Sequence, residues 1–439
     1  MTARLFIISG ASGSGKTTLL EQVLREGDCY SAAATKYTER PPRVNEFDDT
    51  KHVASIDDAQ CDVRYVINGF KYGLRIADVD AQLASGVNVA VILSDFRVIR
   101  RLKERFGFRA VALYVSSEID PAKLLKIHGQ RHQFSPTDEQ KSSLYRQFSR
   151  LKSAAELQTW NRVFEFASDF VEAWREYIPD SKSAQIRTQK IRTFHDRYIE
   201  NIALFDHVIL NYREPDDMLT QYRSLVRYYR FAGRSTVELP LFFVVAASSG
   251  AGKGVMMEAL RKIGSDRVAV VPKIARRERK EGDAEDGMVP IGNAPFPDEI
   301  DFRWSFHKGE ESSGTEYGIS SVTVKDNISA GHHQIVVSNM GQFENFRSRY
   351  GDRVVFIYLH RVQTQEAMEA REHKRGRTPE EARDRIAEVR TVHEEYLTRI
   401  AEFRHVLLNT TDYAEDLFDQ MFRLIEHYDS EQLRHAVTH

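Results

Sequence analysis

Two cysteines, Cys29 and Cys61, are all that this 439-residue chain contains, too few for a disulfide framework or a cysteine-rich zinc site. A reducing, cytoplasmic setting is expected. An excess of one charge sign is also missing. The 62 basic side chains against 64 acidic ones leave a formal charge of −2, which disfavours a general polyanion-binding surface while allowing a local basic cleft. No stretch approaches the roughly 18 apolar residues that span a bilayer, and no basic segment followed by an apolar one opens the chain. Neither secretion nor membrane insertion is therefore expected. With 41% hydrophobic and 29% charged residues, the composition is that of a globular protein long enough for two or three domains.

What the chain does have is a phosphate cradle close to its start. Leu5-Phe6-Ile7-Ile8 reads as a strand and runs into Gly10-Ala11-Ser12-Gly13-Ser14-Gly15-Lys16-Thr17, followed by an amphipathic helix over Leu19–Leu24. Glycines in such a loop turn successive backbone N–H groups inward around a β-phosphate. Lys16 would reach the β- and γ-oxygens, and the Thr17 hydroxyl is placed for Mg²⁺, with Thr18 beside it. ATP and Mg²⁺ are the expected ligands, held by Gly10, Ser12, Gly13, Ser14, Gly15, Lys16, Thr17 and Thr18.

A second copy follows Leu241-Phe242-Phe243-Val244-Val245, reading Ala247-Ser248-Ser249-Gly250-Ala251-Gly252-Lys253-Gly254. Ser249, Gly250, Ala251, Gly252, Lys253 and Gly254 are its nucleotide-contacting candidates. Here Gly254 stands where Thr17 offers its hydroxyl, and Ala247 replaces the first glycine. Three further landmarks recur in order: Tyr72-Gly73 with Tyr317-Gly318, Arg105-Phe106-Gly107 with Arg349-Tyr350-Gly351, and Phe205-Asp206-His207-Val208-Ile209-Leu210-Asn211 with Phe403-Arg404-His405-Val406-Leu407-Leu408-Asn409. The chain reads as two related modules.

Strand patterns at Leu5–Ser9, Val87–Leu93 and Val111–Val115 alternate with helical ones at Thr18–Arg25 and Val98–Phe106. The second half repeats them at Leu241–Ala246, Gln334–Ser338 and Val354–Leu359, with long helices expected over Pro379–Phe403 and Tyr413–Tyr428. The expected fold is α/β: two P-loop modules, each a parallel sheet flanked by helices, spanning 1–230 and 240–430 with a linker at 231–239. The interval from Tyr72 to Phe205 exceeds that from Tyr317 to Phe403 by about 47 residues, which places an α-helical insertion at about 135–190. Leu144, Phe148, Leu151, Trp160, Phe164 and Phe170 fall there at helical spacing. The insertion is expected to be a cap burying its own aromatics; a sharper alternative has it shaping an acceptor pocket or a homo-oligomer contact.

Thr38-Glu39-Arg40-Pro41-Pro42-Arg43 resembles the acceptor-phosphate segment of guanylate kinases, and Tyr72-Gly73 resembles that family's acceptor-closing pair. The resemblance implies a nucleoside monophosphate kinase fold in which Arg40, Arg43, Tyr72 and Gly73 hold the acceptor. A related enzyme, ribose 1,5-bisphosphate phosphokinase, shares the cradle and takes a sugar phosphate. In the second module Lys273-Ile274-Ala275-Arg276-Arg277-Glu278-Arg279 keeps the two-arginine spacing through Arg276 and Arg279, and Tyr317-Gly318 is retained. Arg371-Glu372-His373-Lys374-Arg375-Gly376-Arg377 is similar to the arginine-rich lid of both families, with Arg371, Arg375 and Arg385 near positions that neutralise the moving phosphoryl group. Among Lys123, Lys126, His128, Arg131 and His132, Arg131 is the lid candidate of the first module. The segments where guanylate kinases carry base-reading acids are Asp62-Val63-Arg64-Tyr65 and Leu93-Ser94-Asp95, then Asp301-Phe302-Arg303-Trp304 and Ser338-Asn339. They depart from the family pattern, so the resemblance implies a small phosphorylated acceptor without fixing its base.

The leading expectation is thus an ATP-dependent kinase acting on a nucleoside monophosphate or ribose phosphate. Two alternatives belong to other classes: a nucleotide-binding scaffold with one or both modules non-catalytic, and a kinase of nucleic-acid ends working through local clefts.

Overall fold

The computed structural model describes residues 3–27, 31–42, 49–67, 69–117, 191, 193–211, 215–231, 240–248, 250–263, 267–279, 288–306, 315–361, 365–374, 376–409 and 414–437. The chain divides into two compact units, Met1–Phe231 and Ala232–His439. The segment expected to be a helical insertion lies outside the described residues, as do 232–239 of the expected linker.

The first unit contributes β1 (Leu5–Ser9), β2 (Ser31–Ala33), β3 (Lys36–Thr38), β4 (Thr50–His52), β5 (Val63–Ile67), β6 (Phe70–Leu74), β7 (Asn88–Ile92), β8 (Ala110–Ser117) and β9 (His207–Asn211). Its main sheet has the order β2-β7-β1-β8-β9, with every neighbour parallel. Helices α1 (Lys16–Glu26), α2 (Ile76–Ala84), α3 (Phe96–Phe106) and α4 (Pro215–Phe231) alternate with these strands. A central parallel strand is covered on both faces, so it must be apolar throughout. Leu5, Phe6, Ile7 and Ile8 are accordingly inaccessible to solvent. From β1 the chain crosses to β2 and later β7 on one side, and then to β8 and β9 on the other. The loop after β1 therefore opens at the crevice where strand order reverses, the usual place for a ligand in such sheets.

The second unit repeats the plan with β10 (Phe242–Ala247), β11 (Val268–Val270), β12 (Lys273–Arg276), β13 (Met288–Pro290), β14 (Phe302–Phe306), β15 (Thr315–Ile319), β16 (His333–Val337), β17 (Val354–Arg361) and β18 (His405–Asn409). Its main sheet is β11-β16-β10-β17-β18, again all parallel. The helices are α5 (Lys253–Ile263), α6 (Ser321–Ser329), α7 (Phe343–Tyr350), α8 (Gln365–Lys374), α9 (Pro379–Arg399) and α10 (Ala414–Val437). Helix α9 begins on a capping box in which Thr378 and Glu381 satisfy each other's backbone N–H, with Pro379 following the cap. It is shorter than the pattern over Pro379–Phe403, because Ile400–Glu402 tightens into a 3₁₀ turn. Helix α10 runs beyond Tyr428 to Val437.

Each unit also carries a small mixed sheet that apolar periodicity does not announce: β4-β3-β6-β5 in the first and β13-β12-β15-β14 in the second. Tyr37 lies opposite Gly73 and Thr38 opposite Tyr72 in one; Ile274 lies opposite Gly318 and Ala275 opposite Tyr317 in the other. These strands have three to five residues, too short for alternation to stand out.

The correspondence reaches the packing of side chains. Tyr114 stacks on Tyr198 with centroids 3.8 Å apart, and Tyr358 stacks on Tyr396 at 4.0 Å. Buried Gln221 donates to and accepts from the backbone of Leu210, as Gln420 does with Leu408. His207 meets the hydroxyl of Tyr229 at 2.8 Å, and His405 that of Tyr428 at 2.7 Å.

Candidate functional site

The loop between β1 and α1 is shaped by what it excludes. Gly10 has φ +149°, and a Cβ there would lie 2.5 Å from the Val115 carbonyl oxygen and 2.7 Å from Ser14 Oγ. Gly15, at φ +98°, would drive a Cβ to 2.5 Å from Asn211 Nδ2. Neither position admits a side chain. Asn211, at the end of β9, donates from Nδ2 to the Ser14 carbonyl at 2.8 Å and so ties the last strand of the sheet to the loop. Lys16 folds back over the turn, its Nζ donating to the carbonyls of Gly10 at 2.7 Å and Ala11 at 2.6 Å. The ammonium is thereby held at the mouth of the loop. Ser14 is buried with no partner for its hydroxyl among the described residues, while Ser12 and Thr17 are exposed at the rim and at the first turn of α1. These residues fit a magnesium–nucleotide complex: the turn is too tight for side chains, a lysine bridges it, and a threonine hydroxyl opens α1.

The second loop is built alike, with one change at each end. Lys253 Nζ donates to Ala247 O at 3.2 Å and Ser248 O at 2.7 Å, and Asn409 Nδ2 donates to Ala251 O at 2.8 Å. Gly252, at φ +107°, lies where Gly15 lies, and a Cβ on it would meet Asn409 Nδ2 at 2.6 Å. Alanine is tolerated at Ala247 because β10 pairs one residue further than β1: Ala247 lies opposite Leu359, whereas β1 ends at Ser9 opposite Tyr114. Gly254 brings no hydroxyl to the first turn of α5. This loop fits polyphosphate but lacks the side-chain metal ligand.

Arg371, on α8, reaches this second loop. Its Nη1 donates to Gly250 O at 3.2 Å, and its Nη2 lies 2.8 Å from the point a Cβ on Gly250 would occupy. Glu372, 1% exposed, pairs with Arg371 Nε at 3.3 Å and with Arg377. Arg385 instead pairs with Glu388 one turn along α9. Arg375, Ser249, Arg131 and Arg43 lie outside the described residues.

Arg40 is 6% exposed, which is unusual for an arginine. Its Nε donates to the Tyr72 hydroxyl at 3.0 Å, its Nη1 to Pro41 O at 2.7 Å, and its backbone N–H to Thr38 Oγ1 at 3.1 Å. Tyr72 stacks on Tyr65, with centroids 5.6 Å apart and planes 13° from parallel. Burial pushes the Tyr65 phenol well above its ordinary pKa.

The second unit shifts one expected equivalence. Thr38 faces Tyr72 and Ala275 faces Tyr317, so Arg277, not Arg276, holds the strand position of Arg40. Arg277 even repeats the local bond, with Nη1 on Glu278 O at 2.8 Å. Arg276 corresponds to Glu39 and is paired with Glu316, the counterpart of Lys71. In the first unit Glu39 and Lys71 form the same pair with the charges reversed, 3.6 Å apart. Arg279 is exposed two residues further on. Tyr317 keeps the place of Tyr72, stacked on Trp304 and with Lys273 Nζ 5.0 Å over its ring.

The segments that stand where guanylate kinases carry base-reading acids are engaged structurally. Asp62 accepts from the Ile76 N–H at the start of α2, and Asp301 accepts from the Ser321 N–H at the start of α6. Asp95 caps α3 through the Arg97 N–H at 2.9 Å. Burial works against its ionised form, but hydrogen bonds from the Arg97 side chain and from the Arg97 and Val98 amides outweigh it and hold its pKa below the usual carboxylate value.

The residues that sequence reasoning left without a role are Asn211, Asn409, Glu372 and Arg277. Asn211 and Asn409 close the repeated segments that begin at Phe205 and Phe403, and that repetition was the available signal.

No family model matches the chain. It is 32% identical over 114 residues to a guanylate kinase of Psychrobacter arcticus, covering 24% of this chain and 54% of that protein. It is 32% identical over 120 residues to a guanylate kinase of Sphingopyxis alaskensis, covering 25% and 53%. The chain thus spans about half the length of these relatives. A solved guanylate kinase of Anaplasma phagocytophilum aligns at 15% identity and a TM-score of 0.29, covering 44% of this chain and 87% of that one. Among the described residues no helix is long and apolar enough to cross a membrane, and no cluster of three or more His, Cys, Asp or Glu is arranged to hold a metal.

Proposed function

We propose that the chain is an ATP-dependent phosphotransferase whose acceptor already carries a phosphate, either a nucleoside monophosphate or a ribose phosphate, and whose first unit is the main catalyst. The observation that carries this reading is the Lys16 loop: glycines that admit no side chain, an ammonium fixed across the turn, and Thr17 at the head of α1. Buried Arg40, oriented by Tyr72, supports the acceptor side, because a guanidinium held in place can grip a phosphate through two parallel hydrogen bonds. The stretch of likeness to guanylate kinases points the same way.

Phosphoryl transfer asks little covalent chemistry of a protein; positioning and charge supply most of the rate. The acceptor oxygen bonds to the γ-phosphorus as the bond to the β,γ-bridging oxygen breaks, and ADP leaves. In this reading the loop amides and Lys16 hold the β- and γ-oxygens, while Arg40, with Arg43, holds the acceptor phosphate. Thr17 offers an oxygen to Mg²⁺, which when bound neutralises charge developing on the phosphates. Arg131 is the proposed lid arginine of this unit. For the second unit, Gly254 favours a binding role over a catalytic one; Lys253, Arg371, Arg375 and Arg385 are its phosphate-contacting candidates, and Arg279 and Tyr317 flank its acceptor side.

The test is a product assay with Mg-ATP across nucleoside monophosphates and sugar phosphates. A new phosphorylated product formed in step with ADP is expected for at least one acceptor. ADP release without such a product on the whole panel refutes the reading.

A further inference from the structure

Resting on that reading of the two loops, we infer that the second loop binds the polyphosphate of a nucleoside di- or triphosphate without Mg²⁺, Arg371 supplying the positive charge that the metal supplies at the first. Three observations converge. Gly254 removes the hydroxyl that Thr17 provides in the first unit, so the metal loses its side-chain ligand at the head of α5. The described residues of the loop otherwise repeat the first, with Lys253 bonded across it and Asn409 fastening Ala251. Arg371 is already in contact with it, Nη1 on the Gly250 carbonyl and Nη2 beside the Gly250 α-carbon, where only a glycine leaves room for the guanidinium.

Glu372 explains why the arginine points there. Its buried carboxylate takes Arg371 Nε and Arg377, fixing the rear of the guanidinium while Nη1 and Nη2 face the loop. A guanidinium presenting a fixed edge matches two phosphate oxygens, and it stays protonated at every relevant pH. Lysine and arginine together then offset two of the negative charges of a diphosphate without a divalent ion. A loop of this kind suits a sensor of nucleotide level better than a transfer site, because transfer needs the metal to bridge the β- and γ-oxygens.

The experiment uses the full chain carrying Lys16→Ala, which weakens the first site, and titrates ADP calorimetrically at constant ionic strength with either excess Mg²⁺ or EDTA. The affinity is expected to agree within about threefold between the two conditions, and Arg371→Lys to weaken binding in EDTA by about tenfold because lysine cannot offer two donors in one plane. Adding Lys253→Ala should abolish the remaining heat. Loss of affinity by more than about thirtyfold on chelation overturns the inference, as does an Arg371→Lys variant that binds like its parent. Should Arg371→Lys unfold on heating at a clearly lower temperature than its parent, the comparison of Mg²⁺ with EDTA on Lys16→Ala alone decides. Absence of ADP binding in both conditions also overturns it, while leaving the kinase reading to stand or fall on wild-type turnover.

Discussion

Replacing Asn211 by aspartate changes one donor into an acceptor and leaves shape almost untouched, so it isolates the bond between the last sheet strand and the phosphate loop. The Asn211 amide donates to the carbonyl of Ser14, which is 1% exposed, and water cannot readily take its place. Losing a neutral bond while leaving a buried carbonyl unsatisfied costs about 1–3 kcal/mol, and a carboxylate facing that oxygen adds repulsion, for a total of about 2–4 kcal/mol. Protonated, the aspartate can donate again. The ionised form is therefore disfavoured in the native state, and the carboxyl pKa of the variant is raised above its unfolded value of about 3.9. The stability it retains is fully present below that unfolded value and is lost as pH rises through the folded pKa; each tenfold gain in proton affinity on folding corresponds to about 1.36 kcal/mol. The assay is hydrogen exchange of peptides spanning residues 10–20, together with the dissociation constant for ADP, between pH 4 and 8. Relative to wild type at each pH, exchange should quicken and affinity should fall as pH rises in Asn211→Asp, while Asn211→Ala shows a smaller loss that does not vary with pH. If aspartate behaves as asparagine does at neutral pH, the bond does not hold the loop and the reasoning is wrong.

Lys16→Ala should lower turnover by several orders of magnitude, at about tenfold per 1.36 kcal/mol, whereas Lys253→Ala should leave substantial turnover and change nucleotide affinity or cooperativity; ADP and product formation on both variants measure this, and a dead Lys253→Ala beside an active Lys16→Ala inverts the assignment. Arg40→Ala should weaken the acceptor by about 1.5–3 kcal/mol, roughly ten- to a hundredfold, with ATP affinity nearly unchanged; equal losses for both ligands by equilibrium binding would show that Arg40 does not hold the acceptor. Asp95→Asn should flatten acid destabilisation of the first unit, because the depressed pKa of Asp95 contributes stability that is present above the unfolded aspartate value and lost as pH falls through the folded one; identical acid unfolding curves for variant and wild type would refute this.

The long, buried features were legible in the sequence. An uninterrupted run such as Leu5–Ile8, followed by glycines and a lysine, has few physical alternatives, and the strands and helices around both loops lie within a few residues of where periodicity put them. The small mixed sheets were not legible. Their strands are as short as Lys36–Thr38, whose antiparallel partner β6 lies more than thirty positions away, so neither alternation nor propensity marks them. Asn211 was visible only as a repeated letter, because a side chain that bonds to a loop 197 positions earlier leaves no local trace.

An exchanged ion pair gives Arg276 a structural partner in the small sheet of the second unit. Glu39 with Lys71 and Arg276 with Glu316 occupy the same two cross-strand positions, with each charge replaced by its opposite. Facing positions on antiparallel strands interact through charge product, which is unchanged when both signs flip, so this pair constrains the fold and not the residue types. Arg276, three positions before Arg279, is thus the partner of Glu316 in this pair. Arg277 carries the geometry instead, its Nη1 closing on the next carbonyl as that of Arg40 does on Pro41. In the first unit the Arg40 guanidinium is held in place by Tyr72, to whose hydroxyl its Nε donates. At the corresponding place Tyr317 carries Lys273 over its ring. The two units share one scaffold and differ in what lies against the tyrosine of the small sheet, the Arg40 guanidinium in the first and the Lys273 ammonium in the second.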